Sequence, residues 1–167
     1  MNREGIRKPA FFAYKYLNAL NGREVPSADP QTWITTDKGR TGVLFWDWQL
    51  PKQELSNRPF FTRVLPAQAA RSAEVRFRGL ARGSYRLTVR RTGFKANDAH
   101  TRYLEMGSPA SLSRTQLTEL QSLTSDAPEK NMTVRIGSDG NYVLRVPMRS
   151  NDVVLALLEP VKPVRGK

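Results

Sequence analysis

Arg3-Glu-Gly-Ile-Arg-Lys-Pro-Ala-Phe-Phe-Ala-Tyr-Lys-Tyr-Leu-Asn-Ala-Leu20 reads as one helix, and its composition decides what must surround it. Pro9 suits a first helical turn, where its missing N–H costs nothing. Asn21-Gly22 suits the stop, because glycine takes a left-handed C-terminal position cheaply. Between them the apolar residues Ala10, Phe11, Phe12, Ala13, Tyr14, Tyr16, Leu17 and Leu20 run nearly all the way round, and only Lys15 and Asn18 mark a wet side. A surface helix normally carries one apolar stripe and a broad polar face. This one asks for partners on several sides, supplied by the domain that follows or by something outside the sequence.

Downstream, the pattern changes from helical to β. Residues 23–30 contain prolines and small residues and read as a linker. Trp33-Ile-Thr-Thr36 is a short β-type run. Thr41-Gly-Val-Leu-Phe-Trp-Asp-Trp-Gln-Leu50 is apolar on both faces, with Leu44, Trp46, Trp48 and Leu50 one way and Val43, Phe45 and Asp47 the other, so it belongs inside a sheet. Asp47 should accept hydrogen bonds there, since an unpaired buried carboxylate is expensive. Residues 51–66 read as a long connection. Residues 73–80 alternate with Val75 and Phe77 inward, and residues 83–91 with Tyr85, Leu87 and Val89 inward. The short turn at 81–83 predicts an antiparallel hairpin between them.

Residues 92–109 break the alternation, with one helical turn expected near 99–106. A marked helix follows. Ser113 and Gln116 form a capping box, and Leu112 and Leu117 the matching hydrophobic staple. Leu117, Leu120 and Leu123 make its apolar stripe. Strands resume at 131–137, with Met132, Val134 and Ile136 inward, and at 141–146. Asp152-Val-Val-Leu-Ala-Leu-Leu158 is apolar on both faces and therefore central. The reading is a mainly β protein: an antiparallel two-sheet β-sandwich with an N-terminal helix (1–22), a sandwich (23–160) carrying one inserted loop-helix at about 92–128, and a tail (161–167). A small closed barrel is the competing architecture.

The 167 residues include no cysteine, which excludes disulfides and thiolate metal sites. No run approaches the ~18 apolar residues of a membrane span. Residues 1–4 lead into the helix without a signal-peptide pattern, and the compartment, cytoplasmic or periplasmic, stays open. The net charge of +12 raises the question of a nucleic-acid surface. Its arginines, however, sit at strand positions (Arg76, Arg78, Arg86, Arg90, Arg135, Arg145) alternating with apolar residues, which is the pattern of a solvated sheet face.

Catalytic patterns are missing. The single histidine, His100, stands in a polar loop beside Asn97 and Asp98, and one His with one Asp is too small a set for a metal site. There is no nucleophile elbow, phosphate loop or dinucleotide fingerprint. Of the acids, only Asp47 and Glu105 lie in apolar company, and they belong to separate elements, so no catalytic carboxylate pair emerges. Trp33, Trp46, Trp48, Phe60, Phe61, Tyr103 and Tyr142 could stack on sugar rings, but aromatic residues at strand spacing are more often core. No cofactor is called for.

Two segments carry a resemblance. Gly5-Ile-Arg-Lys-Pro-Ala-Phe-Phe-Ala-Tyr14 resembles the last helix of the catalytic barrel in glycoside hydrolase family 39, the β-xylosidase family that also includes α-L-iduronidase. Residues 97–109, ending in Met106-Gly-Ser-Pro109, and the leucine helix after them resemble the segment that interrupts that family's accessory β-sandwich. His100 stands where the resemblance would place an aromatic residue. The resemblance implies the C-terminal part of a family 39 enzyme, with both catalytic glutamates on a barrel preceding Arg3 and no catalytic residue carried over to this chain. It further implies an accessory role supporting that barrel, with Phe11, Phe12 and Tyr14 as the barrel-facing side of the helix. Asn97, Asp98, His100 and Tyr103 would form a loop near the active-site rim or a subunit interface. A carbohydrate-binding module taking xylo-oligosaccharides weakly and a basic nucleic-acid-binding domain are the ranked alternatives, and a homo-oligomer of the parent enzyme is left open.

Overall fold

The computed structural model describes residues 4–49 and 58–161; Leu50, the first half of the expected connection, and the tail beyond Val161 lie outside the described residues. Among the described residues, eight strands form two sheets. The larger has six strands in the order β1-β2-β3-β8-β5-β6: β1 (Arg23–Val25), β2 (Thr32–Asp37), β3 (Arg40–Trp46), β5 (Gly83–Thr92), β6 (Lys130–Ile136) and β8 (Val153–Pro160). The smaller pairs β4 (Ala73–Phe77) with β7 (Tyr142–Val146). Every pairing is antiparallel. Two separate sheets make this a sandwich and rule out the closed barrel.

The strands that read as apolar on both faces lie inside the large sheet. β8 runs between β3 and β5, with Leu155 opposite Leu44 and Arg90, and Ala156 opposite Val43 and Val89. Because side chains alternate, each such strand presents an apolar surface both ways. Val43, Phe45, Leu87, Val89, Val154, Ala156 and Leu158 point inward and meet Phe77, Leu144 and Val146 of the small sheet. Leu44 and Leu155 point outward and meet the N-terminal helix α1 (Pro9–Asn18), which buries Phe12 and Tyr16 completely against them. The outer layer is completed by α3 (Ala99–Glu105) and α4 (Arg114–Ser122), joined through Ile6, Ala99 and Leu120. The protein thus has three layers: helices, large sheet, small sheet.

Several local expectations match the structure. Pro9 occupies the first turn of α1. Ser113 and Gln116 make the reciprocal capping box of α4, with Gln116 N donating to Ser113 Oγ at 3.2 Å and Ser113 N to Gln116 Oε1 at 2.9 Å. Leu112 and Leu117 pack on one cluster. The expected linker at 23–30 contains β1, because Arg23–Val25 finds an edge to pair with on β2. A short helix, α2 (Arg58–Thr62), lies in the expected connection.

The expected hairpin between 73–80 and 83–91 does not form. β4 joins the small sheet and β5 the large one, so the turn between them crosses the core; β6 and β7 part in the same way. Alternation cannot separate the two outcomes, since Val75, Phe77, Tyr85, Leu87 and Val89 share one core either way. An arch lets the two apolar faces cover each other, whereas a flat hairpin would need another layer. The two arches also hold each other: Leu80 N donates to Gly140 O at 3.0 Å. Gly140 has φ +65°, and a Cβ there would lie 2.8 Å from Leu80 O. Gly107 also has a positive φ, +82°, but open space around it. Gly107→Ala should therefore cost about 1 kcal/mol for backbone conformation alone. Gly140→Ala should cost clearly more, because the backbone of the partner arch must also shift, and urea unfolding of the two variants measures the difference.

Candidate functional site

The loop picked out from the sequence lies against the N-terminal helix. Asn97 and Asp126 both adopt left-handed backbone, φ +50° and +58°, and bind each other reciprocally: Asn97 Nδ2 donates to Asp126 Oδ1 at 3.2 Å, and Asp126 N donates to Asn97 Oδ1 at 2.9 Å. Asn97 Nδ2 also reaches Arg91 O at 2.8 Å. Onto this pair α1 lowers two side chains. Tyr16 Oη donates to Asp126 Oδ1 at 2.7 Å, and Lys15 Nζ to Asp126 Oδ2 at 2.6 Å. Arg90, on the outward face of β5, adds an ion pair to Asp126 Oδ2 at 3.4 Å and a hydrogen bond to its backbone carbonyl. Asp126 is therefore the joint between α1, the insertion and the large sheet. Its carboxylate is buried and fully engaged, as a buried charge must be.

Asp98 is equally committed. It caps α3, accepting from His100 N and Thr101 N, each at 3.1 Å, from Lys95 N at 3.2 Å, and from the Thr101 hydroxyl. Tyr103 packs its ring on the Ile6–Ala99–Leu120 cluster and donates its hydroxyl to Pro109 O at 3.1 Å. His100 is half-buried on the first turn of α3. The structure thus brings Asn97, Asp98 and Tyr103 together as loop-shaping groups, with His100 beside them.

Of the helix residues singled out, Phe12 is buried in this chain's own core and Phe11 partly so. Tyr14 is 73% exposed and Leu17 37%. Among the aromatic candidates for sugar stacking, Trp46 packs beneath α1 and Tyr142 lies 6.2 Å from Phe77, ring to ring. Trp33, Trp48 and Phe61 are exposed, and the Phe60 side chain lies outside the description. Asp47 accepts from Gln49 Nε2 at 2.8 Å, and Glu105 pairs with Lys95 at 2.8 Å, each with a partner of its own. The Lys95 hydrogen bond holds the Glu105 carboxyl below its ordinary range.

Sequence reading missed a second buried cluster. Arg91 and Asp152 form an ion pair in the interior. Arg149 donates to Asp152 through its backbone N–H at 2.9 Å and its guanidinium at 3.1 Å, while Arg91 also binds Glu129 at 2.6 Å and Pro147 O at 2.9 Å. Burial works against the Arg91 charge, but the Glu129 hydrogen bond and the Asp152 carboxylate outweigh it and hold its pKa above the ordinary range. The available signal was Arg91 itself: in the alternation of β5 it falls on the inward side with Leu87 and Val89. Arg90 likewise departs from the expected solvated face, because the helix layer covers it.

Among the described residues no group of three or more His, Cys, Asp or Glu is placed to hold a metal, and no helix is long and apolar enough to cross a membrane. No family model matches the chain, and no curated protein sequence matches it. Solved structures do. A glycoside hydrolase family 39 enzyme from Xanthomonas axonopodis pv. citri superposes with TM-score 0.93 at 51% identity, over 96% of this chain and 32% of that one. A monomeric β-xylosidase from Caulobacter crescentus CB15 gives 0.92 at 46% identity, over 97% of this chain and 32% of that one. A bacterial orthologue of human α-L-iduronidase, at TM-score 0.71 and 15% identity, shares the fold. The two matches at 46–51% identity show that nearly the whole chain is similar to one part of family 39 proteins. It corresponds to the C-terminal part of a family 39 β-xylosidase-like protein, and it spans about a third of the length of those relatives.

Burial and then the hydrogen bond to Asp126 push the Tyr16 hydroxyl well above the ordinary phenol value of 10.0. A raised folded pKa contributes stability that is present below the unfolded pKa and lost as pH rises past it. Thermal melts should therefore fall above about pH 10, the pKa of a tyrosine in the unfolded chain. Tyr16→Phe should flatten that alkaline decline, and at neutral pH should cost about 1–3 kcal/mol by leaving the Asp126 carboxylate short of a donor.

Proposed function

We propose that this chain is a non-catalytic accessory domain that supports the catalytic barrel of a β-xylosidase-like enzyme, acting in the breakdown of xylan or xylo-oligosaccharides. The observation that carries the reading is the division of α1. Phe12 and Tyr16 are spent on this chain's own sheet, while Tyr14 and Leu17 stand out from it. The exposed side is the side on which a barrel would pack, and the relatives have about twice as much further chain to supply one. The chemistry within the chain agrees. Its buried carboxylates, Asp98, Asp126 and Asp152, each accept several hydrogen bonds from groups that hold elements together, which fits a structural role for them. The loop with His100 would then sit at the edge of the assembled enzyme, shaped by Asn97 and Asp98.

The isolated chain should show no turnover of a chromogenic β-xyloside above the buffer rate, and turnover comparable with a full-length family 39 enzyme would overturn the proposal. Packing is tested separately. Tyr14→Ser should leave the stability of the isolated chain within about 0.5 kcal/mol, as exposed substitutions do, whereas Leu17→Ser, at a residue 37% exposed, should cost about 1 kcal/mol. Joined to the barrel of a family 39 relative, the same changes should lower the melting temperature of the whole, and equal melting temperatures would count against this face as the barrel contact.

A further inference from the structure

Trp33, Trp46 and Trp48 are the only tryptophans in the sequence, and all three fall on the face of the large sheet that carries α1. Trp33 stands opposite Leu44 in the β2–β3 register, so the two side chains share a face. Trp46, two residues beyond Leu44, packs with it beneath α1. The extended pairing runs on past Trp46: Asp47 N donates to Asp152 O at 3.1 Å and Asn151 N to Asp47 O at 2.7 Å, so Trp48 follows Trp46 on the same side. The helix covers only part of this face. Trp33 is 42% exposed and Trp48 63%. β1 ends at Val25, opposite Ile34, so among the described residues no strand flanks Trp33 on its outer side.

The exposed indoles continue the open side of the helix. Lys15 turns toward β5, where it meets Asp126 beside Arg90. Residues two apart on a helix point about 200° apart, so Leu17 leans the other way, over β2 and toward Trp33, while Tyr14 stands at the crest. Tyr14, Leu17, Trp33 and Trp48 together leave on the order of 400 Å² open, taking about 150–250 Å² for a whole aromatic side chain, and apolar patches of that size mark contact surfaces. We propose that the barrel contact reaches from α1 onto the sheet, and that the occupant of the tryptophan face is that same barrel. The proposal rests on the accessory-domain reading and adds the second half of its contact. A sugar chain stacked on Trp33 and Trp48 would leave the crest of α1 in water, whereas a rigid body seated on Tyr14 and Leu17 meets Trp33 as well. This chain matches only 32% of the relatives' polypeptide, so a body about twice its size is there to be seated. Tryptophan and tyrosine are also the side chains most enriched at the centres of such contacts.

The test is hydroxyl-radical footprinting read by mass spectrometry, on the isolated chain and on the chain joined to the barrel of a family 39 relative. In the isolated chain Tyr14, Trp33 and Trp48 should all be oxidised, as should Met132, 49% exposed on β6 at the opposite edge of the large sheet. In the joined protein the first three should lose their label together, and Met132 should keep it. Trp48→Ser should lower the melting temperature of the joined protein by more than that of the isolated chain. Trp33 and Trp48 still labelled while Tyr14 is protected would overturn the extension onto the sheet and leave the accessory-domain reading standing; label retained at all three would remove both. Protection of the two indoles in the isolated chain by xylotriose, or by raising the chain's own concentration, would give this face to a sugar or to a second copy and overturn the proposal. Equal falls in melting temperature in the two proteins would overturn it too.

Discussion

A strand that is apolar on both faces has to be covered twice, and that requirement shapes this protein. β8 and β3 sit side by side in the large sheet, with Val154 and Val43 facing one way and Leu155 and Leu44 the other. The inward face is closed by the small sheet. The outward face needs a second cover, and α1 supplies it with Phe12 and Tyr16. At roughly 25 cal/mol per Å² of apolar surface removed from water, two aromatic side chains of this size are a large part of a domain's margin. The helix is therefore a layer of this domain as well as a candidate contact for what lies outside it. Gly42 shows how close the fit is: a Cβ there would lie 2.8 Å from Leu20, at the end of the helix segment.

Covering charged groups along with apolar ones has consequences. The helix layer closes over Arg90, and the sheet interior closes over Arg91 and Asp152. Burying ions is expensive unless each finds a partner and its remaining donors and acceptors are satisfied. Both clusters meet that condition. Asp126 gathers Tyr16, Lys15, Asn97 and Arg90; Asp152 gathers Arg91 and Arg149. Such groups favour one arrangement of elements strongly, because any other leaves a buried charge unpaired. The left-handed backbone at Asn97 and Asp126 is tolerated for the same reason: each supplies what the other lacks.

The elements themselves were largely legible. The capping box at Ser113 and Gln116, the proline start of α1, and the two-faced apolar character of residues 41–50 and 152–158 are local signals, readable within a few residues, although the strand expected over 41–50 stops at Trp46. The family was legible from two short segments, 5–14 and 97–109. The joint around Asp126 was not, because Asp126 stands in a polar stretch where an aspartate is ordinary, and its partners come from residues 15, 16, 90 and 97. Nor did the sequence show that Arg91 and Asp152 meet in the interior, since they lie 61 residues apart and pair only once β5 and β8 are neighbours.

By itself, the sequence determined most of the helices and strands and, for most strands, which faces are apolar, because both follow from side-chain periodicity along the chain. Only the tertiary structure decided which sheet each strand joined. Alternation at 73–77 and 83–92 is the same for a hairpin as for an arch, and the choice is made by whether two apolar faces can cover each other across the core. The tertiary structure also decided the orientation of the opening helix. Its residues are apolar nearly all round, so no stripe marks an inner side. Leu44 and Leu155 on the sheet, with Asp126 beside them, select Phe12 and Tyr16 to turn inward and leave Tyr14 and Leu17 outside.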